Sequence, residues 1–429
     1  MIRRRGSLLA LLATLALTGC TNLYRHQVGN QNYTLYGNQD RPHLEKTGEY
    51  IERVIEAYRT IFRRRCSDVP APWVIYEENE LSERRIYTGE PRQEGYYLPF
   101  LGLIHLSPHE VGEDRLARET VILHEMAHHF LVCAYPASRR LYWFNEGVAC
   151  ALEVSFFDER GRLVTPLYHL TLHRRARNAL RTLGPAAFGR RVSELVDGSW
   201  FHFHQKGGKS LHYAMSWALV YSLLVELEGD LEARVAAILD LDPEALQRAI
   251  DRLPRFLERE PDAILDELAD DPGQRSWALR AWVQLPRPDG QRLLPHLLRS
   301  VERGPGPLRT EGIGLLTRAL NLRIRGVGAP DLRRLRARIV RSLRHGTHDE
   351  RLAVMRHLRA SGRHPAFLRP LVSQLDDSSA EVRVSAAQAL SRLSAHPTIT
   401  RPTFWREASA PRRAREIEEW KRWLRAQGY

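Results

Sequence analysis

The spacing of apolar residues differs between the two halves of the chain. Between Leu44 and Phe62, apolar side chains recur every three or four positions, which predicts an amphipathic helix. Residues 71–76 form a short apolar run typical of a strand, and residues 95–107 predict two strands around a turn near Pro99–Gly102. The first half is therefore predicted to combine helices with a small sheet.

A further helix is predicted over Thr120–Phe130, where apolar residues surround His124, Glu125 and His128. Histidines four residues apart project from the same face of a helix, one turn apart, as two imidazole ligands of one metal ion require. Glu125 follows the first histidine, at the position of the general base in zinc peptidases. A surface helix with incidental histidines is the alternative, and other parts of the chain have to decide between the two.

A third ligand is needed, because catalytic zinc usually binds three protein side chains and a water. The segment Leu141–Glu153 reads Leu-Tyr-Trp-Phe-Asn-Glu-Gly-Val-Ala-Cys-Ala-Leu-Glu, and its Glu146 lies 18 positions after His128. The two motifs together resemble those of gluzincin metallopeptidases, in particular the bacterial peptidase-MA-like proteins, whose second helix carries a similar Glu-Gly-x-Ala pattern. The resemblance implies a zinc ion (Zn2+) held by His124, His128 and Glu146, with Glu125 as the catalytic base.

This resemblance covers roughly residues 44–250 and implies that they form an α+β zincin-like metallopeptidase domain. It excludes the metzincin class, since Leu131 and Ala134 stand where a glycine and a third histidine would be needed. One departure concerns the support of the ligands. Thermolysin-like gluzincins place an acidic residue one turn after the ligand glutamate, whereas this chain has Cys150 there and Glu153 two turns on. Either another group orients the histidines, or this site is weaker than those of the family.

A second catalytic residue is implied by the segment His212–Tyr221, which reads His-Tyr-Ala-Met-Ser-Trp-Ala-Leu-Val-Tyr. It resembles the Tyr-Ala-x-Ser-Trp-x-Leu helix that often follows the ligand helix in this family. Gluzincins commonly supply a Tyr or His to the oxyanion, so Tyr213 is the candidate, with His212 as the second choice. The alternative is structural, because Tyr213, Trp217 and Val220 lie at the spacing typical of a core helix.

From Pro254 onwards the pattern changes to short helices rich in Leu, Ala and Arg, separated by Gly, Pro and Asp. Residues 367–390 resemble a HEAT repeat, with an Asp-containing turn and a Val-Arg-x-x-Ala-Ala start to the second helix. Counterparts of Arg383 recur at intervals of 32, 42 and 34 residues, near the repeat period, at Arg351, Arg309 and Arg275. We expect residues 255–429 to form an all-α HEAT-like solenoid with a surface for a protein partner. An irregular helical bundle is the alternative.

The amino terminus predicts export and membrane anchoring. Three arginines at positions 3–5 precede an apolar stretch of the length found in secretory signals. This stretch ends in Leu-Thr-Gly-Cys20, which resembles the lipobox of bacterial lipoproteins and implies a signal peptide over residues 1–19 and lipidation of Cys20. The protein would be lipid-anchored in the cell envelope and face the periplasm. Thr21 stands where an aspartate would resemble the inner-membrane retention signal, which favours the outer membrane. An ordinary cleaved signal is the alternative, and residues 20–43 are predicted to form a tether.

The amino-acid composition and charge indicate which classes of partner to expect. The hydrophobic fraction of 43% and the charged fraction of 27% are typical of a folded soluble protein. The net charge of +13 comes almost entirely from arginine, since lysine occurs only four times. Because the arginines are mixed with Asp and Glu, a solvated surface is favoured and no nucleic-acid partner is expected.

Three further cysteines would lie in an exported compartment that permits disulfides. A bridge between Cys133 and Cys150 is conceivable if the helices that carry them pack together. Pairing of Cys66 with Cys133 is the alternative, and buried free thiols are the third possibility.

Together these patterns predict a membrane-anchored, zinc-dependent metallopeptidase that hydrolyses peptide or protein substrates and binds a partner or the substrate through its helical repeats. The intact set of His124, Glu125, His128 and Glu146 favours this enzyme over a catalytically inactive scaffold lipoprotein that binds envelope partners. Extended peptides can bind by adding a strand to an exposed sheet edge. Gly102–Leu106 is the predicted edge, and a plain core hairpin is the alternative.

Overall fold

The computed structural model divides into two compact units, Met1–Arg259 and Glu260–Tyr429. Helices make up most of both units, which confirms the prediction of a mostly helical protein. Among the described helices, none is both long enough and apolar enough to cross a membrane. The structure describes residues 26–37, 39–63, 72–76, 95–98, 102–106, 115–158, 160–198, 203, 209–285, 287–304, 306–320, 324–358, 365–394 and 401–429.

A mixed five-stranded sheet begins the first unit. Its strands are β1 (His26–Asn30), β2 (Tyr33–Gly37), β3 (Trp73–Tyr76), β4 (Gly95–Leu98) and β5 (Leu103–Leu106). The order is β1-β2-β3-β5-β4, in which β2, β3 and β5 are parallel and the two outer strands are antiparallel to their neighbours. The predicted hairpin over residues 95–107 is confirmed, with Leu98 paired opposite Leu103.

Two expectations for this sheet are wrong. Residues 26–37, assigned to a tether, form the β1–β2 hairpin, in which Tyr33 and Leu35 alternate with more exposed positions and are buried. Gly102–Leu106 does not supply an exposed edge, because β5 is hydrogen-bonded to β3 on one side and β4 on the other. All four β5 side chains are buried, as in an interior strand. Of the described strands, β4 lies at this end of the sheet.

Two long helices, α1 (Arg41–Ile61) and α2 (Arg115–Ala134), pack on the sheet. The first confirms the amphipathic helix predicted from the apolar spacing, and the second carries the two predicted histidine ligands. The Tyr58 hydroxyl of α1 donates to the carbonyl oxygen of Leu123 at 2.9 Å. This bond fixes α1 against α2 one residue before His124.

The rest of the first unit is helical apart from one short hairpin. A 3-10 turn over Pro136–Arg140 leads into α3 (Tyr142–Leu152), which packs against α2 and along α6 (Lys209–Glu226). The remaining elements are α3 (Tyr142–Leu152), β6 (Phe156–Phe157), β7 (Leu163–Val164), α4 (Leu170–Leu183), α5 (Pro185–Val196), α6 (Lys209–Glu226), α7 (Leu231–Leu239) and α8 (Pro243–Glu258).

The second unit consists of packed helix pairs. Its helices are α9 (Pro261–Asp270), α10 (Arg275–Trp282), α11 (Gly290–Arg303), α12 (Gly306–Ala319), α13 (Ala329–His345), α14 (His348–Leu358), α15 (Leu368–Ser373), α16 (Ala380–Leu393), α17 (Pro402–Glu407) and α18 (Ala410–Ala426). Helices α9 and α10, α11 and α12, α13 and α14, and α15 and α16 pack as consecutive pairs. Helices α10, α12, α14 and α16 also contact one another in succession.

The arginines singled out by their spacing support the turns between paired helices. Arg275, Arg351 and Arg383 each donate to carbonyl oxygens five or six residues earlier, at 2.7–3.2 Å. Arg309 instead pairs with the buried Glu350 at 2.7 Å. Three of the four therefore share one structural task at the start of the second helix of a pair.

The conceivable bridge between Cys133 and Cys150 does not form, because both are free thiols. Cys133 lies five residues after His128, which is about 140° around the helix, and so leaves the face that carries the ligands. Cys66, the other proposed partner, lies outside the described residues, as do the predicted signal peptide and Cys20.

Candidate metal centre

Three side chains from α2 and α3 converge on one point. His124 and His128 project from α2 one turn apart, and Glu146 reaches them from α3. The two histidine Nε2 atoms are 3.1 Å apart. Glu146 Oε2 lies 3.4 Å from His124 Nε2 and 3.3 Å from His128 Nε2. The structure thus brings together all three residues predicted as metal ligands.

The size of this triangle of atoms fits a metal ion. In a tetrahedral zinc site with bonds of about 2.0–2.1 Å, two ligand atoms are about 3.3–3.4 Å apart. A charge-assisted hydrogen bond would be shorter, about 2.7–2.9 Å. Glu146 Oε2 is buried, and no described residue gives it a hydrogen bond of normal geometry. A buried carboxylate oxygen that faces two ring nitrogens at this distance would be stabilised by a cation between them.

A hydrogen-bond network behind His128 sets its tautomer. Asn145 Nδ2 donates to Ser138 Oγ at 3.3 Å, and that hydroxyl donates to the carbonyl oxygen of Leu131 at 3.3 Å. Asn145 therefore presents its carbonyl oxygen to His128, whose Nδ1–H donates to it. With its proton on Nδ1, His128 directs the lone pair of Nε2 towards the point of convergence.

A second network holds His124 in the same way. Its Nδ1 lies 2.5 Å from Glu153 Oε2, and the other carboxylate oxygen lies 2.7 Å from His169 Nε2. His169 Nδ1 accepts from the backbone N–H of Leu172 at the start of α4, so its proton is on Nε2 and points at Glu153. Burial would raise the pKa of Glu153, but the bonds to His124 and His169 lower it to about 2. The carboxylate is therefore ionised and orients His124.

Electrostatics favour positive charge at the point of convergence. Burial alone would lower the pKa of both ligand histidines and raise that of Glu146. The neighbouring groups reverse this: the pKa of His124 and His128 is raised, and the pKa of Glu146 falls below its usual range because of His128 and His124. A site that attracts a proton this strongly also suits a divalent cation.

The two residues predicted to act on substrate lie beside the ligands. The Tyr213 ring centroid is 6.2 Å from that of His124. Burial, and then the charge of Glu146, raise the pKa of Tyr213 well above its usual value, so its hydroxyl is a proton donor at neutral pH. Glu125 is buried, and its charge contributes to the raised pKa of both His128 and Tyr213. His212, the second choice, donates through Nδ1 to a backbone carbonyl at 2.8 Å.

A glycine next to the third ligand allows α3 and α6 to pack closely. A Cβ atom at Gly147 would lie 2.5 Å from Val220 Cγ2 and 2.6 Å from the carbonyl oxygen of Ser216. Both neighbours belong to α6, the helix that carries Tyr213. The glycine of the Glu-Gly-x-Ala motif therefore sets the distance between the ligand helix and the tyrosine helix.

Cys150 belongs to a second cluster with His124 and Glu153, in which one potential ligand atom from each lies within 4.8 Å of the others. Burial, and then the charge of Glu153, raise the pKa of this thiol to about 12. Within this cluster, Nδ1 of His124 already donates to Glu153, whereas Glu146 Oε2 has no hydrogen-bond partner of normal geometry among the described residues. The cluster that includes Glu146 is therefore better suited to a metal.

Sequence reasoning missed the groups that orient the histidines. It expected a residue other than Glu153, yet Glu153 reaches His124 because positions seven apart on α3 share one face. Asn145 could have been suspected from its place beside Glu146, whereas nothing in the sequence pointed to His169. His129 faces away from the site, as expected for the next helix position, and lies 3.2 Å from the hydroxyl of Tyr97 on β4.

Comparison with models of known protein families finds no match, and comparison with curated proteins finds no significant one. The geometry around Glu146 and the motif resemblance therefore carry the functional interpretation.

Proposed function

We propose that the first unit is a gluzincin-type zinc metallopeptidase domain. The observation that carries this proposal is the triangle of His124 Nε2, His128 Nε2 and Glu146 Oε2, with sides of 3.1–3.4 Å. Each histidine is held from behind through Nδ1, as metal-bound histidines usually are. The donor set of two imidazoles and one carboxylate is that of a catalytic zinc site with a position open to water.

The residues around the triangle have the chemistry that peptide hydrolysis requires. When bound, zinc would activate water and polarise the scissile carbonyl group. Glu125 would accept a proton at its carboxylate and pass it to the leaving amine. Tyr213, protonated at neutral pH, would donate to the oxygen on which negative charge develops. Burial of Glu125 strengthens these interactions by keeping bulk water from the reacting groups.

Strand β4, in place of β5, is the better candidate to pair with an extended substrate. It lies at the end of the described sheet and is linked to α2 by the contact between Tyr97 and His129. A peptide added along its outer edge would lie near the helix that carries the two histidines. The substrate is accordingly an extended peptide or an unfolded segment of a protein.

The second unit is proposed to be a HEAT-like solenoid that binds a protein partner or the substrate. Two observations support this proposal. The helix pairs pack in succession, and Arg275, Arg351 and Arg383 each donate to backbone carbonyl oxygens in the turn between paired helices. The signal-like amino terminus and Cys20 support the further proposal that the protein is lipid-anchored in the cell envelope and faces the periplasm.

The decisive test of catalysis compares Glu125→Gln with the wild type on denatured proteins, with cleavage read by mass spectrometry. Glu125→Gln should retain zinc and lose about 10²–10⁴-fold in rate, the usual contribution of a general base. Tyr213→Phe should lose about 10²-fold or more. Tyr221→Phe, on the same helix two turns further on, is the matched control and should retain activity.

Two outcomes would change the proposal. If the wild type binds one zinc and cleaves no peptide, the inactive scaffold becomes the better description. If Glu125→Gln keeps full activity, Glu125 is not the base.

A further inference from the structure

The net positive charge of the chain is concentrated in its second unit. Residues 260–429 contain 31 Lys and Arg against 19 Asp and Glu, a net charge of +12. Residues 1–259 contain 33 against 32, a net charge of +1. Asymmetry on this scale indicates a unit that contacts an anionic partner.

Helix α13 has the largest net positive charge of the described helices in this unit, with six arginines against one aspartate. Five arginines are exposed along it, and we call them the arginine face: Arg333, Arg334, Arg336, Arg341 and Arg344. The opposite side of the helix is buried through Leu335, Ile339 and Leu343. Because the apolar side packs within the protein, the arginine face is left to solvent.

Several acidic residues of the second unit have partners other than the arginine face. Glu311, Glu350 and Asp377 each pair with an arginine of another helix. The one acidic residue of α13, Asp331, accepts from the backbone N–H of Gly328 at the helix start. Among the described residues, which include every Asp and Glu of this unit, none forms an ion pair with the arginine face.

Helix stability does not account for this arrangement. Basic side chains near the carboxyl end of a helix complement its dipole, which explains Arg344. Arg333, Arg334 and Arg336 lie in the first half, towards the positive end, where the dipole disfavours them. Arg333 and Arg336, and Arg341 and Arg344, are also like charges three residues apart, which repel each other. An anionic partner would relieve both effects.

We propose that the arginine face of α13 docks on the phosphate groups of an anionic phospholipid surface. Guanidinium groups bind phosphate through paired hydrogen bonds, and those of the face span about 16 Å along the helix. Arginine side chains also bind the phosphates and guanine edges of nucleic acids. The secretory signal predicted for residues 1–19 directs the chain out of the cytoplasm, so a lipid surface is the expected partner in preference to a nucleic acid. The predicted lipid anchor would hold this unit close to such a surface.

Docking of this kind is electrostatic and involves no insertion, because the apolar side of α13 is already buried. It should therefore require anionic lipid and weaken as ionic strength rises. These two dependences distinguish it from attachment through the anchor, which needs neither.

The test measures flotation of the full-length chain with phosphatidylcholine vesicles that contain or lack phosphatidylglycerol. The anchor is common to all variants and both vesicle types, so only the difference between the vesicles is compared. The variant neutralises the arginine face by Arg→Gln at positions 333, 334, 336, 341 and 344. The control neutralises five exposed arginines elsewhere in the same unit: Arg392, Arg401, Arg406, Arg415 and Arg422.

The wild type and the control should prefer vesicles with phosphatidylglycerol, and the face variant should lose about a hundredfold of that preference. Arg→Lys at the same five positions should retain most of it, and circular dichroism should show that each variant is folded. If the five-site variant is unfolded, Arg→Gln at positions 333, 334 and 336 alone replaces it and should lose at least about tenfold.

Three results would overturn the proposal. One is a wild type without preference for anionic vesicles, and another is an equal loss in the face variant and the control. The third is binding to duplex DNA that depends on the face while binding to anionic vesicles does not.

Discussion

Each unit of the protein buries a carboxylate among helices, Glu146 in the first and Asp262 in the second, and their surroundings differ. Asp262 accepts from Trp282 Nε1 at 2.6 Å, from the backbone N–H of Asp289 at 2.8 Å and from Arg325 at 2.8 Å. Glu146 Oε2 lies 3.3–3.4 Å from the Nε2 atoms of two histidines, which is longer than a charge-assisted hydrogen bond, and the Nδ1 protons of both rings are directed away from it.

This contrast separates a structural carboxylate from a ligand. A buried carboxylate with donors on every side connects the elements that supply them, and its role ends there. A buried carboxylate among acceptors is unfavourable until a cation joins the group. The comparison therefore supports the proposal that Glu146 is a metal ligand and that Asp262 connects helices, although both residues are buried.

The largest effect is expected at Glu146. Glu146→Gln removes the negative charge from the triangle and should lower zinc affinity about a thousandfold, since zinc binding draws on all its ligands. Titration against a competing chelator measures this loss. Asp262→Asn should leave the affinity unchanged, and an equal loss in both variants would remove the distinction between the two carboxylates.

For the stability of the second unit, in contrast to zinc affinity, Asp262 is the carboxylate that matters. Asp262→Ala leaves the N–H groups of Trp282 and Asp289 without their acceptor and should lower the free energy of unfolding of that unit by about 2–3 kcal/mol. Hydrogen exchange followed by mass spectrometry locates the effect in residues 260–429. Zinc affinity should not change.

Packing beside the third ligand gives the next largest effect. Gly147→Ala introduces a methyl group against α6 and should lower the stability of the first unit by about 2 kcal/mol, the usual result of overpacking. Gly189→Ala is the matched control, because nothing lies within 4 Å of its added methyl group. Alanine at that helical position should stabilise the unit by up to about 1 kcal/mol. Opposite signs in the two thermal melts support the close approach of α3 to α6.

The smallest effect on zinc affinity is expected at Glu153, which hydrogen-bonds to the proposed ligand His124. Glu153→Gln keeps an acceptor for His124 and removes the charge that orients it, so zinc affinity should fall about tenfold. Glu194→Gln, at an exposed position on α5, should have no effect. An unchanged affinity in Glu153→Gln would mean that the ligand geometry alone holds the histidine.

The features of the fold and site that could be predicted from the sequence depend on residues that lie close together along the chain. His124 and His128 follow from one turn of helix, and the hairpin of β4 and β5 follows from apolar runs around a turn. Glu146 required a family resemblance, because its distance in sequence from His128 does not by itself determine a contact.

The parts that were missed depend on contacts between distant segments. The position of β5 between β3 and β4 is set by pairing across the sheet, which apolar spacing does not encode. The role of His169 depends on a bond to Glu153 that forms only once α3 and the start of α4 are in place. The burial of Tyr33 and Leu35 overrides a composition that favours a tether.

The zinc content of the purified full-length chain, combined with X-ray absorption at the zinc edge, tests most directly whether His124, His128 and Glu146 bind zinc. The account predicts one zinc per chain, bound by two imidazole nitrogens and oxygen ligands at about 2.0–2.2 Å. Absence of zinc, or a sulfur ligand from Cys150, would contradict the assignment of His124, His128 and Glu146 as the metal centre.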